Sequence, residues 1–223
     1  LAGMTWITGV GSMAERQARL VVAARGLAPL GGAGEGAAGT AASLAKCDLT
    51  TQMVGEFPEL QGHVGRLLAE ADGEPASVFL AIEEHYLPRF SGDALPSTPE
   101  GRALALADRV VLLAGAWSVG LAPSASADPQ GLRRAAVGLV QILLAGGTAG
   151  DLRGMFLAAA QPAPPELIEF VLGRARALLV SEGLPPDLVD AVGSVGGADV
   201  VGVAARARAM GVLVKDGSFG PIR

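Results

Sequence analysis

Few residues in this sequence could do chemistry: two histidines, one cysteine and a scatter of carboxylates. Carboxylate catalysis needs two acids flanking one bond. Glu83 and Glu84 are adjacent, so on a helix they point about 100° apart and cannot flank it. Cys47 has no evident activating base beside it and falls in an apolar stretch, which predicts an inert, buried thiol. A Gly-x-Ser-x-Gly nucleophile turn is absent. Gly31-Gly32-Ala33-Gly34-Glu35-Gly36 has the glycines of a phosphate loop but not its Gly-Lys-Ser/Thr ending. Residues 31–40 therefore read as a low-complexity Gly/Ala linker. No catalytic residue can be assigned.

The elements that must position these side chains are helical. Half of the 223 residues are apolar, mean hydropathy is +0.43 and only 4% are aromatic, so the core must be built from Leu, Val and Ala, which suit helix packing. Periodicity and caps predict helices over 13–26, 42–56, 59–70, 76–86, 100–119, from 128 through 137–144, over 165–181 and 186–192. Thr98 is placed to cap the helix that Pro99 opens. No run alternates as a strand does, and the Gly-rich stretch beyond residue 193 has no clear assignment. The apolar runs 110–122 and 137–145 are too short for a membrane span of about 20 residues. A net charge of −5 argues against holding nucleic acid by bulk electrostatics and leaves room only for a local basic patch. The single cysteine cannot form an internal disulfide and suggests a reducing compartment. The chain opens on Leu1-Ala2-Gly3 with no start methionine or signal region, as expected of a fragment or excised domain.

One block is distinctive: Lys46-Cys47-Asp48-Leu49-Thr50-Thr51-Gln52-Met53-Val54-Gly55-Glu56-Phe57-Pro58-Glu59-Leu60-Gln61-Gly62. After it come Asp72-Gly73-Glu74, Glu83-Glu84-His85-Tyr86-Leu87-Pro88-Arg89-Phe90 and Gly92-Asp93-Ala94-Leu95-Pro96. Leu106-Ala107-Asp108 and a run from Ala127-Asp128-Pro129 to Val137-Gly138 complete the series. In order and content these blocks resemble the β-subunit of the bacterial, heterotetrameric glycyl-tRNA synthetase. The resemblance is strongest over 43–145. It implies an all-α fold, an HD-domain-like helical bundle with additional C-terminal helices. Residues 1–150 would form the HD-like domain and 151–223 a helical extension. It also implies an α2β2 ligase in which the α-subunit, with ATP and Mg, joins glycine to tRNA. This chain would be a β-subunit fragment, without a cofactor of its own, acting in the cytoplasm or in a plastid or mitochondrial matrix.

HD-type phosphohydrolases hold a metal with histidines and aspartates from several helices, a donor set suited to a water-activating divalent ion. The resemblance puts the echoes of that set at Asp48, His85 and Asp108. Ile7, Cys47 and Val111 stand where further ligands would be needed, so the expectation is a degenerate site with no metal. On the plainer alternative, Asp48 and Asp108 cap helices or pair with arginines, His85 is a hydrogen-bonded packing residue and His63 lies on the surface. For RNA contact, phosphates call for guanidinium and ammonium groups. The candidates are Lys46, Arg66, Arg89, Arg133, Arg134 and Arg174, with Arg102 and Arg109 on one exposed face and Arg176 beyond. Adjacent arginines on a helix diverge, so Arg133 would pair inward with Asp128 or Asp108 while Arg134 faces out. A metal-dependent HD phosphohydrolase acting on nucleotides or RNA is the competing reading.

Overall fold

The computed structural model describes residues 1–90, 92–123, 128–146 and 151–216. Among them are eleven helices and one small hairpin, so the fold is all-α. The hairpin pairs β1 (Thr5–Ile7) with β2 (Gly11–Ser12), antiparallel, and was not foreseen because strands this short show no alternation. Gly9, at φ 86°, makes its turn. Helix α1 (Met13–Leu27) starts at a capping box in which Ser12 and Glu15 satisfy each other's backbone N–H. Then come α2 (Glu35–Leu44), α3 (Gln52–Glu56), α4 (His63–Ala71) and α5 (Ala76–Glu84).

Helix α6 (Pro99–Ser118) is the axis of the bundle. Thr98 caps it and Pro99 begins it, as expected. Leu104, Val110, Val111 and Leu113 are fully buried, and α1, α2, α5 and α7 (Leu132–Gly146) surround it. A helix apolar on nearly every side can only be stable inside such a ring. Asp128 caps α7, its carboxylate accepting from Leu132 N at 2.7 Å and Arg133 N at 2.9 Å.

Two expectations about the first half need correction. Residues 35–40 of the proposed linker are helical, the start of α2, with Ala38, Gly39, Ala41 and Ala42 buried against α1. Their smallness serves close packing rather than flexibility, since a Cβ on Gly39 would run into the Arg25 side chain. The helix drawn over 42–56 is broken. After α2 the chain makes a 3-10 turn at Cys47–Thr50 before α3. Thr50 and Thr51 donate their hydroxyls to the carbonyls of Cys47 and Asp48, each at 2.7 Å, the side-chain-to-backbone bonding that competes with helix.

Further along the chain, α8 (Leu152–Ala158) and α9 (Pro165–Ser181) join the same core through Leu152, Phe156, Leu167 and Val171. Helix α8 crosses α1 at Gly26, where a Cβ would overlap the Ala158 carbonyl. Helices α10 (Pro186–Gly196) and α11 (Val200–Lys215) enclose a smaller cluster of Leu179, Val189, Val203 and Ala207. The last of these helices lies where the sequence had offered no assignment. Among the described residues no helix is long and apolar enough to cross a membrane.

Candidate nucleic-acid interface

The 3-10 turn after α2 decides which way the signature block faces. It turns Lys46 and Asp48 inward and leaves Cys47 exposed, so the expectation of a buried thiol is wrong. Lys46, expected to reach RNA, is only 2% exposed. Its Nζ lies 2.7 Å from His85 Nε2, 3.3 Å from Asp108 Oδ1 and 4.2 Å from the centre of the Tyr86 ring. His85 Nδ1 is 2.6 Å from the Ile82 carbonyl, which only accepts, so Nδ1 carries the proton. Nε2 is left bare and accepts a hydrogen bond from the lysine ammonium. Burial first, and the Lys46 charge second, hold His85 well below its ordinary range.

Asp108 completes the cluster. Burial alone would raise its pKa, but the charges of Arg16, at 2.9 Å, and Lys46 hold it well below the usual carboxylate range. Burial draws Lys46 down to about 8 against the opposing pull of Asp108. Asp48 sits apart, taking a 2.6 Å hydrogen bond from Gly62 N. Gly62 has φ 82° and a Cβ there would stand 2.6 Å from the Tyr86 ring, so only glycine lets this turn close on Asp48. The structure thus brings His85 and Asp108 together around an ammonium and gives Asp48 another task. Among the described residues no three His, Cys, Asp or Glu side chains are grouped to hold a metal. Ile7 and Val111, at two of the expected ligand positions, are buried apolar residues. The donor set does not fit a divalent ion.

Arg109 also lies inside, against expectation. Its guanidinium donates to the carbonyls of Ala105 and His85 at 2.9 and 3.2 Å, and to those of Leu87 and Pro88 at 2.7 and 3.1 Å. Burial draws it down to about 10. Four carbonyls on one guanidinium fix the chain segment that delivers Arg89. Glu84 does similar work at the start of α6, its carboxylate accepting from Ser97 and Thr98. Although half-burial acts the other way, those bonds keep its pKa below the ordinary value.

Outside this framework is an open pocket of about 550 Å³. Arg16, Arg89, Arg109 and Arg134 line it with Gln61 and Gln130, and the buried His85 and Asp108 form part of its wall. Arg89 and Arg134 are exposed, and neither guanidinium has a hydrogen bond or ion pair with any described residue. A second depression, about 370 Å³, shares Pro88, Arg89 and Arg134 with the first and adds Arg133, Phe90 and Val137. Phe90 is 64% exposed at its edge. Both members of the Arg133-Arg134 pair line this groove, Arg133 partly buried and Arg134 exposed. Only Arg134 also reaches the pocket.

The other expected cations lie elsewhere. Arg66 is held between Glu70 at 2.9 Å and Glu83 at 2.7 Å, and Glu83 also meets His63 at 2.8 Å. Arg102 donates to the Ser97 carbonyl, Arg176 meets Glu169, and Arg174 lies over the Phe170 ring at 5.3 Å. Arg16, Gln61, Gln130 and Phe90 are the pocket and groove residues that sequence reasoning missed. For Phe90 a signal existed, an aromatic directly after an arginine in a motif. For the rest only the fold brings them together.

A family model described as "Glycyl-tRNA synthetase beta subunit" matches residues 1–194, which include the whole of this site. The class is therefore that of an aminoacyl-tRNA synthetase subunit. Curated relatives agree. The chain is 42% identical to the glycine–tRNA ligase beta subunit of Neisseria gonorrhoeae (strain NCCP11945) over 201 residues, 86% of this chain and 29% of that protein. It is 43% identical to that of Ralstonia nicotianae over the same shares. The Cereibacter sphaeroides protein of that name is 39% identical over 96% of this chain and 33% of its own length. The chain belongs to the glycyl-tRNA synthetase beta-subunit family. It spans about a third or less of the length of these relatives.

Proposed function

We propose that this chain is the part of a glycine–tRNA ligase beta-subunit that grips tRNA, while ATP-dependent glycylation, with ATP and Mg, takes place on the α-subunit of an α2β2 assembly. Family membership supports the ligase, its tRNA and its α-subunit partner. One observation on this chain carries the tRNA-gripping role: Arg89 and Arg134 stand exposed in the lining of a concave pocket, their guanidiniums unpaired with any described residue. Guanidiniums that no described residue engages are available to phosphates, each contact releasing counterions and steepening the salt dependence. Arg133 stands beside them in the adjoining groove. Lys46 leaves the candidate set because it lies inside, and Arg66 because carboxylates hold it. Such a ligase works in the cytoplasm or the matrix of an organelle.

The competing phosphohydrolase reading draws no support from the donor set, since His85 Nε2 and Asp108 Oδ1 both face Lys46. The test is tRNA binding by the assembled ligase across a salt series. Arg89→Ala with Arg134→Ala is expected to weaken binding and to flatten the log–log salt slope by about 1.5. Wild-type affinity and slope in that variant would remove the proposal.

A further inference from the structure

The pocket is concave, and that limits which part of an RNA can enter it. An A-form stem offers its phosphates on a convex surface and is recognised by shape across a wide, shallow groove. It can rest on a rim but cannot fill a recess of about 550 Å³, whose size is that of a small-molecule site. An unpaired nucleotide, splayed from its strand, can.

The lining is suited to one. Arg16 is engaged with Asp108 and Arg109 with four backbone carbonyls, which leaves Arg89 and Arg134 for a phosphate. The carboxamides of Gln61 and Gln130 make no hydrogen bond with any described residue, and each offers two donors and an acceptor. Glu59, exposed on the same lining, has only acceptors and would repel a second phosphate while accepting from an amino group on a base edge. Beyond the shared arginines, the exposed Phe90 ring offers a face on which a neighbouring base can stack.

We propose that this pocket receives a single unpaired nucleotide of the bound RNA, its phosphate on Arg89 and Arg134 and its base edge on Gln61, Gln130 and Glu59. The inference rests on the RNA-gripping reading above and sharpens it from phosphate contact to capture of a splayed nucleotide.

The assembled, full-length ligase is titrated with fluorescent glycine tRNA and, separately, with a blunt duplex RNA of its acceptor-stem sequence. Gln130→Ala, on an exposed turn, and Gln61→Ala with Gln130→Ala are each compared with Arg134→Ala. The double glutamine variant is expected to lose about tenfold in tRNA affinity, the weight of one or two hydrogen bonds, with duplex binding unchanged. Arg134→Ala is expected to weaken both RNAs. Millimolar cytidine 5′-monophosphate should displace tRNA from the wild type more readily than from the double variant. Equal loss on both RNAs, or loss only in the arginine variant, overturns the nucleotide pocket and leaves the RNA-gripping reading standing. Displacement by a polyglutamate peptide as readily as by the nucleotide assigns the pocket to an acidic peptide and overturns it too. If no variant changes tRNA affinity, both readings fall.

Discussion

Two sets of cations lie within one stretch of this fold and have opposite fates. Lys46, Arg16 and Arg109 are committed to a carboxylate, an imidazole and backbone carbonyls. The guanidiniums of Arg89 and Arg134, in the lining of the same pocket as Arg16 and Arg109, are committed to no described residue. Residue type does not separate the two sets, and neither does position within a motif. What separates them is whether a neighbouring acceptor meets the charge. An internal cation is worth its partners, and its loss strands them; an external one is worth only what arrives from solution.

The comparison is tested most severely at Lys46. Lys46→Met leaves His85 Nε2 and part of Asp108 unanswered inside the protein. A cost of about 3–5 kcal/mol is expected for breaking such a buried set, measurable as a lowered denaturation midpoint. A loss below about 1 kcal/mol would mean that the inner cations do not act as a unit. The outer pair should show the reverse. Arg89→Ala with Arg134→Ala is expected to leave stability within about 0.5 kcal/mol of wild type while tRNA affinity drops by about ten- to a hundredfold. Unfolding in that variant would place these arginines in the inner class.

Proton linkage sharpens the contrast further. Lys46 titrates near 8 in the folded chain and near its ordinary value when unfolded, so between those values the unfolded state binds more protons. Stability should therefore rise with pH from about 8 upward, and Lys46→Met should lose that rise. His85, depressed when folded, acts in the same sense at acid pH: stability falls as pH drops below the ordinary imidazole range and the unfolded ring takes a proton. Denaturant melts across pH would reveal both windows. The smallest effect is expected at Arg66, already paired on a half-exposed face. Arg66→Ala should change stability by less than about 1 kcal/mol and tRNA affinity not at all; a clear loss of affinity would enlarge the outer set.

Much of the helical frame was legible because local signals agreed with it. Thr98 caps as its position suggests, and 76–84, 99–118 and 165–181 carry apolar periodicity. Misreadings arose where tertiary packing overrode local chemistry. Gly39 belongs to a helix because Arg25 crosses it, and glycine in a helix ordinarily signals a break. The turn at 47–50 reflects threonine hydroxyls bonding backwards, which no periodicity shows. For the site, Arg89 and Arg134 were visible in their motifs, whereas the inward course of Lys46 was not, because lysine is almost always outside. Asp199, which caps α11, was a usable signal hidden behind the glycines that precede it.

The ammonium lodged between His85 and Asp108 has a further consequence. A metal in that place would have to be acquired from solution, at an occupancy set by supply and open to loss by chelation or exchange. A charge carried on the chain's own side chain is delivered with the polypeptide at fixed one-to-one stoichiometry. The wall behind the pocket is therefore complete as soon as the chain folds, whatever the metal content of its surroundings.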